Sequence, residues 1–191
     1  ERQKIVLPSI DDSNARLYHI EDIIATSAAM KVIKAKIPKI ANTDSSVLIY
    51  GETGTGKELV AQAIHTYSNR YNKKFVSQNC AAIPSTLLES ILFGTVKGSY
   101  TGAENKPGLF EIANGGTLFL DEINMMELNM QAKLLKAIEE KKITRIGGTE
   151  PIYIDVKIIS ALNVDPITCI KEKKLREDLF YRLNVVRIDL P

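Results

Sequence analysis

A glycine-rich segment with a lysine is the first part of the sequence that could do chemistry. Residues 51–57 read G-E-T-G-T-G-K, which is the spacing of a phosphate-binding loop. The glycines let successive backbone N–H groups turn toward phosphate oxygens, and Lys57 can reach the β- and γ-phosphates of a nucleotide. An apolar run from Val47 to Tyr50 precedes the loop, and a helical pattern follows it. This context disfavours the alternative of a glycine-rich turn with an incidental lysine.

The residue that follows the loop lysine departs from the general motif. Residue 58 is glutamate, where serine or threonine normally binds Mg²⁺. A carboxylate has no hydroxyl to offer and repels phosphate unless it points away, so the metal must rely on phosphates, water and another acid. The residues predicted to contact ATP through this segment are Gly51, Glu52, Thr53, Gly54, Thr55, Gly56, Lys57, Glu58 and Leu59.

Two adjacent carboxylates follow the apolar run from Thr117 to Leu120. Neighbouring side chains of a strand point in opposite directions, so one carboxylate can face Mg²⁺ while the other faces an attacking water. We predict that Asp121 is the metal ligand and that Glu122 is the general base or the residue that positions the water. The alternative is an acidic pair that caps the start of a helix.

The elements that position these residues alternate between short apolar runs and helical patterns, which predicts an α/β fold with a mainly parallel sheet and helices on both faces. A helix from Ala28 contains Pro38, which should kink the helix or end it early. The predicted strands are Val47 to Tyr50, Phe75 to Gln78, Thr117 to Leu120, Val156 to Ser160 and Val185 to Ile188. The predicted helices are Lys57 to about Asn69, Pro84 to Phe93 and Asn129 to Glu140.

The composition is that of one globular domain. The chain has 191 residues and a formal net charge of +2, so its charge favours no class of partner. We expect residues 1–17 to be a linker or domain boundary and residues 18–191 to form the domain. No apolar stretch reaches the length of a membrane span and no signal peptide is evident, so we expect a cytoplasmic protein without a membrane partner. Cys80 and Cys169 fit no metal spacing and are predicted to be buried free thiols.

Several motifs together resemble one family. The phosphate loop ends in G-K-E, residues 79–82 read N-C-A-A, and residues 92–94 read L-F-G. Residues 97–103 read K-G-S-Y-T-G-A, where the family usually has G-A-F-T-G-A. The chain from about Tyr18 to Pro191 is similar to the central AAA+ domain of sigma-54-dependent transcription activators of the NtrC class. The resemblance implies a P-loop NTPase fold of AAA+ type.

The resemblance also implies a mechanism. Such domains form rings, usually hexamers, that bind ATP between subunits and use hydrolysis to remodel the closed complex of RNA polymerase. A loop raised by ATP binding engages sigma-54, and flanking glycines predict an exposed tip here rather than a β-hairpin turn with a core-facing tyrosine. The loop residues are Gly98, Ser99, Tyr100, Thr101, Gly102 and Ala103.

By the same resemblance, four further residues belong to the nucleotide site. Asn79 resembles the residue that holds the catalytic glutamate, here Glu122, in check. Asn163 falls at the polar sensor position near the nucleotide. Ile23 or Ile24 lies in the stretch that flanks adenine, although ordinary core packing explains them equally well.

Arg176 and Arg182 resemble the arginines that reach the nucleotide of the neighbouring subunit. They are six residues apart, which puts them on different faces of a regular helix. Either a break near Phe180 or two separate roles is required. The alternative is two surface arginines paired with nearby acidic residues, namely Glu172, Glu177 or Asp178.

The chain departs from the family pattern at several positions. Tyr100 replaces the usual phenylalanine, Leu162 replaces the usual sensor threonine, and Thr95-Val96 replaces the usual histidine-glutamate pair. The sequence stops at Pro191, where the family's helical lid would begin. We therefore expect weak ATPase activity from this chain alone, and contact with DNA only through a domain outside it.

Two other functions stay open at this point. One is a different AAA+ remodeller, such as a clamp loader or an unfoldase, from which the loop at residues 98–103 separates this sequence. The other is a nucleotide-binding switch with little turnover, which Leu162 and the missing lid suggest.

Overall fold

The framework of the protein is a five-stranded parallel sheet. The computed structural model describes residues 16–191. The strands, in chain order, are β1 Val47–Tyr50, β2 Phe75–Asn79, β3 Gly94–Thr95, β4 Lys106–Pro107, β5 Thr117–Asp121, β6 Lys142–Ile143, β7 Ile152–Tyr153, β8 Lys157–Leu162 and β9 Val186–Asp189. The central sheet has the order β2-β5-β8-β1-β9, and its strand pairs are parallel. β3 with β4, and β6 with β7, form two short antiparallel hairpins.

Helices cover both faces of the central sheet. They are α1 Ala28–Ala41, α2 Lys57–Tyr67, α3 Ser85–Phe93, α4 Leu109–Ile112, α5 Leu128–Glu140, α6 Pro166–Lys171 and α7 Glu177–Leu183, with 3-10 turns at Ile20–Asp22 and Ile123–Met125. The alternation of side chains along β1 sends Val47 and Ile49 to a core with α1 and α2, and Leu48 to a second core with α3, α5 and α7. The predicted mainly parallel α/β sheet is confirmed.

Pro38 does not end α1 early, as the sequence had suggested. The helix continues to Ala41, three residues beyond the proline. Side chains supply donors to its last carbonyls: Asn42 Nδ2 donates to the Pro38 carbonyl at 3.0 Å, and Lys157 Nζ donates to the Ile40 carbonyl at 2.9 Å. These bonds satisfy carbonyl groups that a helix end leaves without partners, which offsets the hydrogen bond that proline removes.

Other element boundaries shift by one or two residues. α2 ends at Tyr67 rather than near Asn69, because the Ser68 hydroxyl donates to the His65 carbonyl and turns the chain. Pro84 precedes α3 as its N-cap instead of lying in its first turn. His65 is buried and pairs with the Thr117 hydroxyl at 2.8 Å, so it packs between α2 and β5.

The polar residues singled out from the sequence lie at one edge of the sheet. Gly51, Asn79 and Asp121 stand at or directly after the carboxyl ends of β1, β2 and β5, and Asn163 directly follows β8. In parallel α/β sheets this edge is where ligands bind. Among residues 16–191, no helix is long and apolar enough to cross a membrane.

Candidate active site

The phosphate-loop residues form a tight turn between β1 and α2. Gly54 and Gly56 have φ angles of 85° and 86°, a left-handed backbone that side chains with a Cβ atom rarely adopt. Gly56 is the N-cap of α2, so the first N–H groups of an eleven-residue helix face the loop. The N–H of Gly51 donates to the Leu162 carbonyl at 3.2 Å, which ties the loop to the end of β8.

Lys57 is held inside this loop. The residue is buried, with only 7% of its surface exposed. The Nζ atom donates to the carbonyls of Gly51 at 2.8 Å and Glu52 at 2.9 Å. The Thr55 hydroxyl donates to the same Glu52 carbonyl at 2.7 Å. The ammonium group is therefore already inside the loop that would surround a phosphate.

Glu58 lies on the surface of α2. The residue is exposed, and its Oε1 accepts a 3.4 Å hydrogen bond from Gln62 Nε2, one turn further along α2. Leu59 is half-buried and packs against the core beneath α2. The hydrogen bond from Gln62 holds the Glu58 carboxylate along the helix surface, where its charge still raises the pKa of Asp121.

Asp121 and Glu122 sit where β5 ends, but they do not alternate as residues of one strand. β5 ends at Asp121, and Glu122 has a left-handed backbone with φ 53° and ψ 49°. The turn is held by the N–H of Glu122, which donates to Asp121 Oδ1 at 2.9 Å. The two carboxylates are thus separated by the left-handed turn rather than by strand geometry, which corrects the reason given from sequence.

The pKa of Asp121 is raised above its ordinary value, chiefly by burial. The negative charges of Glu122 and Glu58 also raise it, whereas the hydrogen bond from Glu122 N–H and the charge of Lys57 lower it. A bound cation beside this carboxylate would favour its charged form. A cation bound at this site would therefore lower the pKa of Asp121 and stabilise its carboxylate form.

Asn163, rather than Asn79, contacts Glu122. The Asn163 Nδ2 donates to Glu122 Oε1 at 3.1 Å, because β5 and β8 are adjacent and both end at this edge. Asn79 pairs with Asp121 in the parallel register, but its Oδ1 accepts the N–H of Ala81 at 2.8 Å. The restraint of Glu122 by Asn79 that the resemblance implied is not formed in this structure, and that role stays a prediction.

Both cysteines are buried free thiols, as predicted. Cys80 lies beside the carboxylate pair, and its N–H donates to the Asp121 carbonyl at 2.9 Å. Burial, with the nearby charges of Asp121 and Glu122, raises the pKa of the Cys80 thiol to about 12. Cys80 therefore stays a protonated packing residue at neutral pH.

The two isoleucines near the start of the domain have different surroundings. Ile23 is buried in the core that contains α1 and α2, and its carbonyl accepts a 2.8 Å bond from Lys34 Nζ. Ile24 is 85% exposed. Core packing therefore accounts for Ile23 and leaves Ile24 available at the surface, and contact of either residue with adenine stays a prediction.

Residues 98–103 form the tip of the β3–β4 hairpin. The alternative from sequence was a hairpin turn with a core-facing tyrosine: the hairpin is formed, but Tyr100 is 54% exposed and does not face the core. Ala103 is buried, and its N–H donates to the Tyr100 carbonyl at 3.0 Å. At the base of the tip, the Thr95 hydroxyl donates to the Glu104 carbonyl at 2.6 Å. The tip therefore exposes an aromatic ring, and hydrogen bonds hold together the two chain segments beneath it.

The break between the two arginines lies at Arg176 and not near Phe180. Arg176 is the extended N-cap of α7, while Arg182 is in the last turn of that helix and exposed. Arg176 pairs with Asp178 through two bonds of 3.0 Å and 2.9 Å. One of the predicted surface pairs is thus formed, and the two arginines have separate environments.

Gln131 was missed by the sequence reasoning. It is fully buried in α5, and its side chain bonds to the backbone N–H of Arg176 at 2.9 Å. A usable signal existed: Gln131 stands three and four residues before the inward-facing Leu134 and Leu135, so it is a polar residue on the apolar side of a helix.

Known structures share this fold. A parallel sheet with a phosphate loop after β1 and two carboxylates at the end of β5 defines a P-loop NTPase domain. NtrX from Brucella abortus in complex with ADP matches with a TM-score of 0.82 and 40% identity, over 89% of this chain and 38% of that chain; its complex with ATP gives the same values. The P-loop NTPase domain of a sigma-54 transport activator from E. coli shares the fold with a TM-score of 0.60 and 17% identity, over 88% of this chain and 99% of that chain.

The sequence relationship defines the family. Residues 23–189 match the Sigma-54 interaction domain, and the chain belongs to this family. It is 50% identical over 189 residues to the transcriptional activator RocR of Bacillus subtilis, covering 99% of this chain and 41% of the relative. It is 53% identical over 170 residues to the regulatory protein AtoC of Escherichia coli, covering 88% of this chain and 37% of the relative. The chain thus spans less than half the length of these relatives, and the family predicted from its motifs is confirmed.

Proposed function

We propose that this chain is the ATP-hydrolysing domain of a sigma-54-dependent transcription activator. The observation that carries the proposal is one edge of the sheet that holds a phosphate loop, with Lys57 inside it, beside the pair Asp121 and Glu122. Membership in the Sigma-54 interaction domain family and the ADP and ATP complexes of NtrX support nucleotide binding here.

The loop binds the phosphates of ATP. Lys57 exchanges its two carbonyl acceptors in the loop for phosphate oxygens, which are charged and therefore accept stronger bonds. The N–H groups at the start of α2 add donors and the positive end of the helix dipole. Lys57 thus binds the nucleotide without a large movement, because its ammonium group already lies in the loop.

Mg²⁺, when bound, neutralises charge that develops on the phosphates during transfer. Asp121 is the residue that would hold it, because its half-buried carboxylate gains from a cation. Within residues 16–191, no cluster of three His, Cys, Asp or Glu could hold a metal. The phosphates and water must then complete its coordination, in agreement with a glutamate in place of the usual serine or threonine at position 58.

Glu122 accepts the proton of the attacking water. Its left-handed backbone turns the carboxylate out of β5, and Asn163 holds one of its oxygens at 3.1 Å. The hydrogen bond from the Asn163 amide fixes the orientation of this carboxylate, which is the group that would take the proton. Asn163 therefore orients Glu122 in this chain. Its neighbour Leu162 has no polar side chain, so Asn163 is the polar residue of this pair.

Coupling to transcription uses the loop and the neighbouring subunit. We assign the exposed Tyr100, at the tip of residues 98–103, to contact with sigma-54. Arg176 and Arg182 reach the nucleotide of the next subunit in a ring, which the resemblance implies to be a hexamer. We expect residues 1–191 alone to be weakly active, because the site lies at an open edge where water weakens its charge contacts.

The test separates hydrolysis from coupling in the full-length protein. In the Tyr100→Ala variant, we expect ATP turnover to be little changed and sigma-54-dependent open-complex formation to fall by ~30-fold, the effect of losing an anchor worth about 2 kcal/mol. Tyr71→Ala, which removes an exposed tyrosine outside the loop, is the matched control and should leave both activities intact. Unchanged open-complex formation by the Tyr100 variant would contradict the assignment.

The same experiment addresses the alternative of a nucleotide-binding switch, which the replacement of the sensor threonine by Leu162 favours. A switch would bind ATP and change partner affinity without steady turnover. Absence of phosphate release from the full-length protein, with tight ATP binding, would support the switch against the ATPase.

A further inference from the structure

A buried glutamine joins the segment after Glu122 to the segment that carries Arg176. Gln131 lies near the start of α5 and is fully buried. Its Nε2 donates to the carbonyls of Met126 at 2.9 Å and Lys174 at 2.8 Å. Its Oε1 accepts the N–H of Arg176 at 2.9 Å. Two carbonyl acceptors and one N–H donor fix the orientation of the amide, because each of its atoms can fill only one of these roles.

One side of this network begins at the backbone of Glu122, the residue that is proposed to act as a base. Glu122 is the N-cap of the 3-10 turn Ile123–Met125, and the N–H of Met125 donates to the Glu122 carbonyl at 3.0 Å. Met126 is the C-cap of that turn, and it offers its carbonyl to Gln131. A short, hydrogen-bonded path therefore connects the backbone of Glu122 to the glutamine.

The other side of the network ends at an arginine held from two directions. Gln131 fixes the backbone of Arg176 through its N–H, and Asp178 fixes the guanidinium through two hydrogen bonds. The guanidinium is exposed enough to meet another molecule, while its backbone anchor is buried. The position of this charge is thus set inside the subunit.

We propose that Gln131 is the positioning residue for Arg176, and that it links the segment after one subunit's Glu122 to the arginine which that subunit gives to its neighbour. The inference rests on the proposed function, since Arg176 must act on a neighbouring nucleotide. It adds a route by which the state of one site sets the activity of the next: a shift of the turn after Glu122 moves the Met126 carbonyl, the amide of Gln131 and then the backbone at Arg176.

The direct test compares steady-state ATP hydrolysis of the full-length protein with that of its Gln131→Met variant. Methionine fills a similar volume but cannot pair the three backbone groups, so the segment before α7 must repack. We expect kcat to fall by about 10²-fold, since a displacement of about 1 Å in a catalytic group has an effect of that order. KM for ATP should change little, because the phosphate loop is untouched. An increase in KM as large as the fall in kcat would overturn the proposal, and so would an unchanged kcat.

Mixed rings locate the defect. In a ring of Gln131→Met and Glu122→Gln subunits, a Gln131→Met subunit keeps its own Glu122 and receives a correctly placed Arg176 from a Glu122→Gln neighbour. We therefore expect turnover above the sum of the two parent proteins at intermediate mixing ratios. Asp121→Ala mixed with Glu122→Gln is the control, since both changes damage the subunit's own site and no rescue should occur.

The outcomes separate this inference from the proposed function. If the unaltered full-length protein does not hydrolyse ATP, the proposed function fails. If it does, and Gln131→Met rings are not rescued, the glutamine acts within its own subunit or only on folding, and the inference fails. Should Gln131→Met not fold, Gln131→Glu, which keeps the acceptor for the Arg176 N–H, takes its place; failure of both to fold would assign the amide a purely structural role.

Discussion

Lys157 offers a test of how the sheet is built, because a charged side chain is buried where β8 begins. The residue is 1% exposed, and its Nζ donates to the carbonyls of Ile40 and Thr43 beyond the end of α1. Burial lowers the pKa of Lys157 from 10.5 to about 8, and the positive charge of Arg70 acts in the same direction while Asp44 opposes it. We predict that this lysine makes stability depend on pH in the alkaline range.

The sign and size follow from the two pKa values. The unfolded chain binds this proton more tightly than the folded protein does. Below pH 8 Lys157 is protonated in both states, and the full cost of burying its charge reduces the free energy of unfolding. The penalty is relieved as the pH rises from about 8 to 10.5, and stability contributed at this site increases over that interval. At ~1.4 kcal/mol for each pH unit, the gain is about 3 kcal/mol.

Denaturant unfolding of this chain and of Lys157→Met, from pH 7 to 10.5, measures the effect. Methionine does not titrate, so the difference between the two unfolding free energies should change by about 3 kcal/mol across the interval. The loss of two carbonyl partners adds a constant offset, which leaves the pH dependence intact. Lys36→Met, at an exposed position of α1, is the control and should show no such dependence. Parallel pH profiles for Lys157→Met and the unaltered chain would refute the reasoning.

The remaining predictions concern the nucleotide site of the full-length protein. Lys57→Ala should abolish ATP binding in calorimetry, and unchanged affinity would remove the lysine from the site. Glu122→Gln should bind ATP but hydrolyse it about 10²–10⁴-fold more slowly in a phosphate-release assay, and near-native turnover would point to Asp121 instead. Asn163→Ala should lower kcat by about 10-fold or more, the cost of one hydrogen bond to a charged group, with ATP affinity retained; a loss of affinity alone would place Asn163 on the nucleotide.

The sequence was informative wherever a function depends on adjacent residues. The phosphate loop is a contiguous segment between a strand and a helix, so its spacing carries both the conformation and the chemistry. The short apolar run from Val47 to Tyr50 likewise predicted a buried strand, and its side chains enter cores on both faces of the sheet. The position of Asp121 at the end of an apolar run predicted its place at the edge of the sheet. In each case one short segment determines the outcome.

Contacts between distant segments were less accessible. Asn163 meets Glu122 across 41 residues, and this contact depends on which strand lies beside β5. The sequence indicated a parallel sheet but not its order, and β8 rather than β2 brings a polar side chain to the carboxylate. The left-handed backbone of Glu122 could not be predicted from the sequence either, because an apolar run followed by two acids is equally compatible with a continued strand.

Gln131 shows why the remaining link requires a structure. A polar residue on the inner side of a helix signals a buried hydrogen-bonding group, since an unpaired amide there is costly. The signal does not name its partners, which here come from segments five and 45 residues away. One partner lies just after the proposed base and the other carries an arginine proposed to serve the next subunit. A buried amide that bonds to both segments can relate their positions only if its bonds persist when either segment moves. If mixed rings of Gln131→Met and Glu122→Gln subunits are not rescued, the glutamine instead acts within its own subunit or only on folding.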